Sequence, residues 1–160
     1  MGSYLLYGCL VGLRSSEVVE SVHLLHDAAT YKDYYNPETL TICHWKHQKY
    51  FIRKTKFAHL SFASPAIVDI ARKDCSPNVT YAQIRNKLRL LGMYCHFSYT
   101  RKIFASYLHK CGVSESLIDL LHGRLSTNNS ILIKHYLLPQ TSFKTEITQH
   151  LAMLRKEIEN

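Results

Sequence analysis

The side chains of this chain that could do chemistry are mostly basic and phenolic. Its 160 residues include 20 Lys or Arg, 12 Asp or Glu, 10 His and 11 Tyr, for a formal net charge of +8. Between Thr39 and Lys110 stand 13 Lys or Arg against only Asp69 and Asp74, a local balance of +11, while the rest of the chain is slightly acidic. Positive charge gathered in one segment is the electrostatic footprint of a phosphate-backbone binder. Cutting and rejoining a phosphodiester without a cofactor needs a nucleophile that keeps the bond energy in a covalent link, donors for the phosphate oxygens, and an acid for the leaving hydroxyl. Tyrosine, arginine and lysine supply these in turn. The planar fork of arginine holds two oxygens at once and stays charged, whereas lysine can release a proton. A two-metal nuclease would need clustered carboxylates, which the basic segment does not contain.

Other chemistries find less support. Cys9, Cys43, Cys75, Cys95 and Cys111 are odd in number, scattered and without a Cys-x-x-Cys pair, and read as reduced thiols packed as small apolar residues. The best local ligand cluster, Cys43-His44 with His47, lacks a second pair at structural-zinc spacing, so no metal is expected. The mean hydropathy is −0.15. No apolar run approaches the ~18 residues of a membrane span. The apolar stretch Met1 to Val11 lacks the basic start of a signal peptide. A protein acting in the cytoplasm, away from membranes, is expected.

The elements that must position these side chains are mostly helical. Tyr4 to Val11 reads as a buried helix ending near Gly12, and Ser15 or Ser16 is expected to cap a helix carrying Val18, Val19, Val22 and Leu25, which leaves Arg14 at the junction. Tyr31 to Asn36 reads as a polar and aromatic loop. Thr39 to His44 and Phe57 to Phe62 have the β-branched and aromatic character of strands, joined by a very basic connection. Helices are expected from Pro65 and from Thr80, the second with Ile84, Leu88 and Leu91 on one face and a stop at Gly92. After Ser98 come a stripe of Ile103, Phe104, Tyr107, Leu108 and Cys111 ending at Gly112, a short helix capped by Ser114 and stopped by Gly123, and a segment from Ile131 to Leu138. Last is an amphipathic helix with Phe143, Ile147, Leu151, Leu154 and Ile158. The fold class is therefore mainly α with a small antiparallel sheet (α+β), in a single domain over 1–160.

Three segments carry a family resemblance. Gly12-Leu13-Arg14-Ser15-Ser16-Glu17 resembles the first arginine box of the tyrosine recombinases. The run from Tyr99-Thr100-Arg101 through Phe104-Ala105, Leu108, Cys111-Gly112-Val113, Ile118 and Leu121 to Gly123-Arg124 resembles the second box and the helix after it. Twelve residues beyond Arg124, Ile133-Lys134-His135-Tyr136 stands where that family places its nucleophile. The likeness covers nearly the whole chain and implies the catalytic-domain fold of a tyrosine recombinase or phage-type integrase. The family's usual His before the second arginine is replaced by Ser98, and its third-box His by Arg124, with His122 on the other side of Gly123; archaeal viral and plasmid integrases are similar in tolerating such replacements.

What the resemblance implies is site-specific recombination through a 3' phosphotyrosyl intermediate. Arg14, Arg101 and Arg124 would hold the scissile phosphate, Tyr136 would attack it, and a lysine of the basic hairpin, Lys56 or else Lys54, would protonate the leaving 5' oxygen. Ser98 and His122 are further catalytic candidates, and Lys46, Lys49, Arg53, Lys54 and Lys102 are candidate DNA contacts. The implied partners are duplex attachment sites, Holliday junctions and further copies of the chain in a tetramer, with no metal or nucleotide cofactor. Because Arg14 lies so near the amino end, a separate DNA-binding domain is expected to be missing from this chain. Rival readings are a topoisomerase-like or resolvase-like enzyme, a non-catalytic helix-turn-helix module built from the Arg101 and Ser114 helices around Gly112, and an inactive relative.

Overall fold

The computed structural model describes residues 2–53, 56–93, 96–124 and 141–160, with only the backbone for 52, 53, 56, 141 and 142. In chain order the helices are α1 (Gly2–Val11), α2 (Ser15–His26), α3 (Ala28–Tyr34), α4 (Gln48–Phe51), α5 (Pro65–Asp69), α6 (Tyr81–Leu90), α7 (Tyr99–Lys110), α8 (Glu115–Leu121) and α9 (Thr141–Glu159). The strands are β1 (Tyr35–Asn36), β2 (Thr41–Ile42), β3 (Ile52–Arg53), β4 (Lys56–Phe57) and β5 (Ser61–Phe62), and a π-helical turn, Ile70–Asp74, extends α5. The chain is mainly helical with a small antiparallel sheet, the α+β class read from the sequence. Among the described residues no helix is long and apolar enough to cross a membrane.

A helix that is apolar around its circumference has to be surrounded. Helix α1 buries Tyr4, Tyr7, Cys9, Leu10 and Val11, and it packs against α2, the π turn, α7 and α9. Its approach to α7 is close because Gly8 has no side chain: a Cβ there would lie 3.1 Å from Thr100 Oγ1. At Gly12, φ is +67°, and a Cβ would stand 2.6 Å from the Phe104 ring. Glycine is thus required there twice, for the turn and for the contact.

Strand β2 pairs antiparallel with β1 on one side and with β5 on the other, with Thr41 opposite Phe62 and Ile42 opposite Ser61. The two expected strands do pair, but the ladder is two residues long. The chain leaves extended geometry at Cys43 because His44 is drawn inward. Ser61 Oγ donates its one proton to the Val11 carbonyl at 2.9 Å, so His44 Nε2 donates to Ser61 at 3.0 Å and His44 Nδ1 accepts from the Tyr34 hydroxyl at 2.8 Å. Residues Tyr34, His44 and Ser61 are all buried. The basic connection between β2 and β5 holds a 3₁₀ turn (His44–His47), α4 and a second ladder, β3 with β4, in which Ile52 faces Phe57 and Arg53 faces Lys56.

Five readings of the sequence are corrected. Tyr31 to Tyr34 is helical: Asp27 caps α3 by accepting from Ala29 N at 2.9 Å, and Tyr34 is fully buried. Arg14, not a serine, is the N-cap of α2. The inward face of α7 is Thr100, Phe104 and Leu108 while Ile103 is exposed, and Leu91 is exposed beyond the end of α6. Serine 114 occupies the N-cap of α8, but its hydroxyl meets Ser116 Oγ at 3.2 Å and makes no capping bond. The final helix does bury Ile147, Leu151 and Leu154 against α1, α7 and β5 of its own chain, with Ile158 exposed in the last turn. The expected segment from Ile131 to Leu138 lies outside the described residues.

Candidate active site

Three helix ends bring basic side chains together. Arg14 leaves the turn between α1 and α2, where the positive φ of Gly12 redirects the chain. Its orientation is set by Glu17, whose carboxylate is completely buried and takes Arg14 Nη1 on Oε1 at 2.6 Å and the Arg14 amide on Oε2 at 2.9 Å. The same carboxylate therefore caps α2 and holds the guanidinium, and it sits in the first helical turn, where negative charge is favoured.

Arg101 lies in the first turn of α7 and reaches across to α8, where its Nη2 donates to the main-chain carbonyl of His122. Its Nη1 is buried and has no hydrogen-bond partner among the described residues. Burial, then the charges of Arg14 and Arg124, lower its guanidinium to about 10, which still leaves it protonated at neutral pH.

His122 ends α8 and is almost wholly buried, its ring 5.6 Å from that of Phe104. Neither ring nitrogen has a partner among the described residues. Burial, followed by the charges of Arg101, Arg124 and Arg14, pushes the imidazole down to about 3, so it is neutral at physiological pH. Arg101 is bonded to the His122 carbonyl, Arg124 stands two residues further on, and Arg14 lies within electrostatic range of both the ring and Arg101. Arg124 Nη1 lies 2.9 Å from Asp119 Oδ1 on a half-exposed surface, and its amide is bonded to the Asp119 carbonyl.

Between His122 and Arg124, Gly123 adopts φ +60° and its carbonyl accepts from Phe57 N at 3.1 Å. A Cβ on Gly123 would fall 2.2 Å from the Phe57 carbonyl oxygen. The β3 and β4 ladder therefore rests directly on the turn that carries Arg124. Lys56 is the residue before that contact; its backbone is described, its side chain is not. Lys54 and Tyr136 lie outside the described residues, and only the backbone of Arg53 is described.

The remaining candidates are less central. Ser98 is exposed at the N-cap of α7 and makes no side-chain capping bond. Lys102 lies over the Tyr99 ring at 4.6 Å and Lys49 over Tyr50 at 4.5 Å, both cation–π contacts. Lys46 is paired with Asp33 at 2.5 Å on the rim of a different cleft of about 690 Å³, which also holds Trp45, Lys32 and Lys144. Among the described residues no His, Cys, Asp and Glu side chains gather to hold a metal. Glu17, Phe57 and Phe104 stand in the motifs and elements read from the sequence but receive no part in the site there. A glutamate three residues after a helix N-cap is a readable signal for the first; the others depend on contacts distant in sequence.

Comparison with known proteins gives one match. The sequence model of a family described as archaeal phage integrase matches residues 9–147. No curated protein and no solved structure matches.

Proposed function

The chain belongs to the archaeal phage integrase family, a recombinase-type lineage whose partner is DNA, and from this premise we propose that it breaks and rejoins DNA with Tyr136 as nucleophile. The observation that carries the reading is the inward turn of Arg101 to the His122 carbonyl, within electrostatic range of Arg14 and Arg124, with a guanidinium nitrogen of Arg101 left without a partner among the described residues. Three cations with only two carboxylates paired to them leave a net positive charge that suits a phosphate gaining charge in a pentavalent transition state. Glu17 and Asp119 offset part of the charge and orient Arg14 and Arg124 from the side.

In this mechanism the Tyr136 oxygen attacks phosphorus as its phenol loses a proton, and the P–O5' bond breaks. Lys56, or Lys54 in its place, hands a proton to the departing 5' oxygen. The products are a 3' phosphotyrosyl link and a free 5' hydroxyl, and attack by a 5' hydroxyl of a second strand completes the exchange. Holliday-junction intermediates in a tetramer on duplex DNA follow from the same reading, with Lys49 and Lys102 contacting the phosphate backbone.

A binding module without catalysis is the weaker alternative. A recognition helix presents its arginines outward to base edges, whereas Arg101 is turned inward to the His122 carbonyl. The test is a denaturing gel of protein incubated with a nicked suicide duplex carrying its attachment sequence. Wild type forms a covalent adduct and Tyr136→Phe forms none; an adduct in both would move the nucleophile elsewhere, and none in either would favour binding alone.

A further inference from the structure

The cleft of about 690 Å³ beside the small sheet takes no residue from the arginine cluster. Its walls are the end of α3, the β1–β2 turn, the 3₁₀ turn His44–His47 and the first turn of α9. Trp45 is half-buried there: part of the indole packs against the core and part lines the cleft. Among the described residues no aromatic ring or cation is stacked on that indole. Lys32, Lys46 and Lys144 reach the cleft from three different elements, α3, the 3₁₀ turn and α9. Asp33 takes Lys46 at 2.5 Å, and Lys144 Nζ donates to the Glu38 carbonyl. Three lysines against the carboxylates of Asp33 and Glu38 leave the cleft a balance of +1. An aromatic wall with a small positive surplus fits a ligand that offers flat rings and phosphates together, and a strand of nucleic acid does so. In a duplex the bases are stacked on one another, so only an unpaired strand can lay a base on the indole.

We propose that this cleft is a binding site for unpaired DNA, in which one base stacks on Trp45 and the flanking phosphates meet Lys32 and Lys144. Lys46, already held by Asp33, shapes the wall and leaves the ligand to the other two lysines. Along the chain the cleft stands next to both parts of the proposed chemistry. Trp45 lies in the same β2–β5 connection as Lys56, and α9, which supplies Lys144, begins at Thr141, five residues after Tyr136. Exchange of strands separates a cut strand from its complement before the new joint is made, and a cleft that holds an unpaired base keeps the free end from re-pairing. With so small a charge surplus, stacking supplies most of the affinity. Contact with two phosphates gives a shallow salt dependence, a slope of about −1.4 in log K against log salt at roughly 0.7 per phosphate.

Trp45 is the one tryptophan of the chain, so the intrinsic tryptophan emission of the full chain reports on this cleft alone. The probe is a short oligothymidylate. Its addition is expected to quench the Trp45 emission to saturation, whereas a blunt duplex, bound at the arginine cluster, leaves the emission unchanged. Trp45→Leu is expected to weaken single-strand binding, read by anisotropy of a labelled oligothymidylate, by about ten-fold or more, the cost of one lost stacked base, and Trp45→Phe to recover part of it. Lys32→Gln combined with Lys144→Gln is expected to flatten the salt dependence, and all three variants should bind duplex as wild type does. Equal quenching by duplex, wild-type single-strand affinity in a folded Trp45→Leu, or no single-strand binding would each overturn the proposal. Emission that stays unchanged while the oligothymidylate binds would give the cleft to another occupant, such as an acidic peptide, and overturn it too. Should Trp45→Leu fail to fold, the wild-type quenching and the double lysine variant decide it. The titration needs no cleavage, so a missing Tyr136 adduct leaves its result readable.

Discussion

The amide of Phe57 donates a 3.1 Å hydrogen bond to the carbonyl of Gly123, joining the residue after Lys56 to the residue before Arg124. The basic hairpin and the end of α8 are thereby one unit, and movement of either displaces both. A Cβ on Gly123 would lie 2.2 Å from the Phe57 carbonyl oxygen at a φ of +60°. Gly123→Ala is therefore expected to destabilise the protein by at least ~2 kcal/mol through backbone strain and collision. Its cleavage of a suicide duplex should fall further than the loss of folded protein explains. Urea unfolding alongside the adduct assay checks both parts, and full cleavage by a folded variant would contradict them.

Arg124 and Asp119 form an ion pair on a half-exposed surface, with relative side-chain exposures of 53% and 41%. Pairs of this kind contribute little to stability, and Asp119→Asn is expected to change it by no more than ~0.5 kcal/mol. Arg124→Ala is expected to be equally mild for stability and yet to slow adduct formation by ~10²-fold or more, the cost of removing a donor from a developing oxyanion. Thermal unfolding and single-turnover cleavage of the two variants separate these effects. Parallel losses in both measurements would mean that Arg124 acts only as a structural residue.

Glu17 is completely buried beneath Arg14, and its two oxygens serve the guanidinium and the helix cap separately. Glu17→Ala removes both and is expected to cost ~2–4 kcal/mol. Glu17→Gln keeps an acceptor for the amide while giving up the charge, so it should fold more stably than the alanine variant and still bind duplex DNA more weakly than wild type. Fluorescence anisotropy with a labelled duplex and urea midpoints test this ordering. If Glu17→Gln bound as wild type does, the carboxylate would have no part in orienting Arg14.

Acid should destabilise the protein before its carboxylates titrate. His44 is pushed to about 3 by burial, then by His47 and His59, and His122 to about 3 by burial and the three arginines, against 6.5 for a free imidazole. A histidine whose folded pKa is depressed binds fewer protons when folded than when unfolded in the window between those two values. Its contribution to stability is complete above about pH 6.5 and is lost as pH falls toward about 3. Each imidazole adds a slope of up to ~1.4 kcal/mol per pH unit. Urea midpoints are expected to fall from about pH 7 to about pH 5, with a shallower fall in His122→Gln; a flat or rising profile would exclude the burial of both rings.

Particular residues show where legibility stopped. Thr80 with Gln83 three residues on makes the reciprocal cap of α6, and Gly12, Gly92, Gly112 and Gly123, all with positive φ, close α1, α6, α7 and α8. These are local effects, decided by groups within a turn of one another, and they could be read along the chain. Helix α3 was missed because Tyr31 to Tyr34 looks like a polar aromatic loop; Asp27 caps it locally, and the burial of Tyr34 against Phe51 and His44 anchors it from a distance. The strands shrank to two residues because His44 turned inward to a serine 17 positions away.

The sequence by itself determined a helical chain with a basic middle, the order Arg14, Arg101, Arg124, and the chemistry that such side chains allow, because residue type and local periodicity are properties of neighbours. Only the tertiary structure decided that Arg101 turns inward to the His122 backbone, that Glu17 lies buried under Arg14, and that the Lys56 hairpin rests on Gly123. Those relationships depend on which faces of α1, α2, α7 and α8 come within contact distance. That is settled by the packing of the core around Gly8, Gly12 and Phe104, where the absence of a Cβ at each glycine permits the approach.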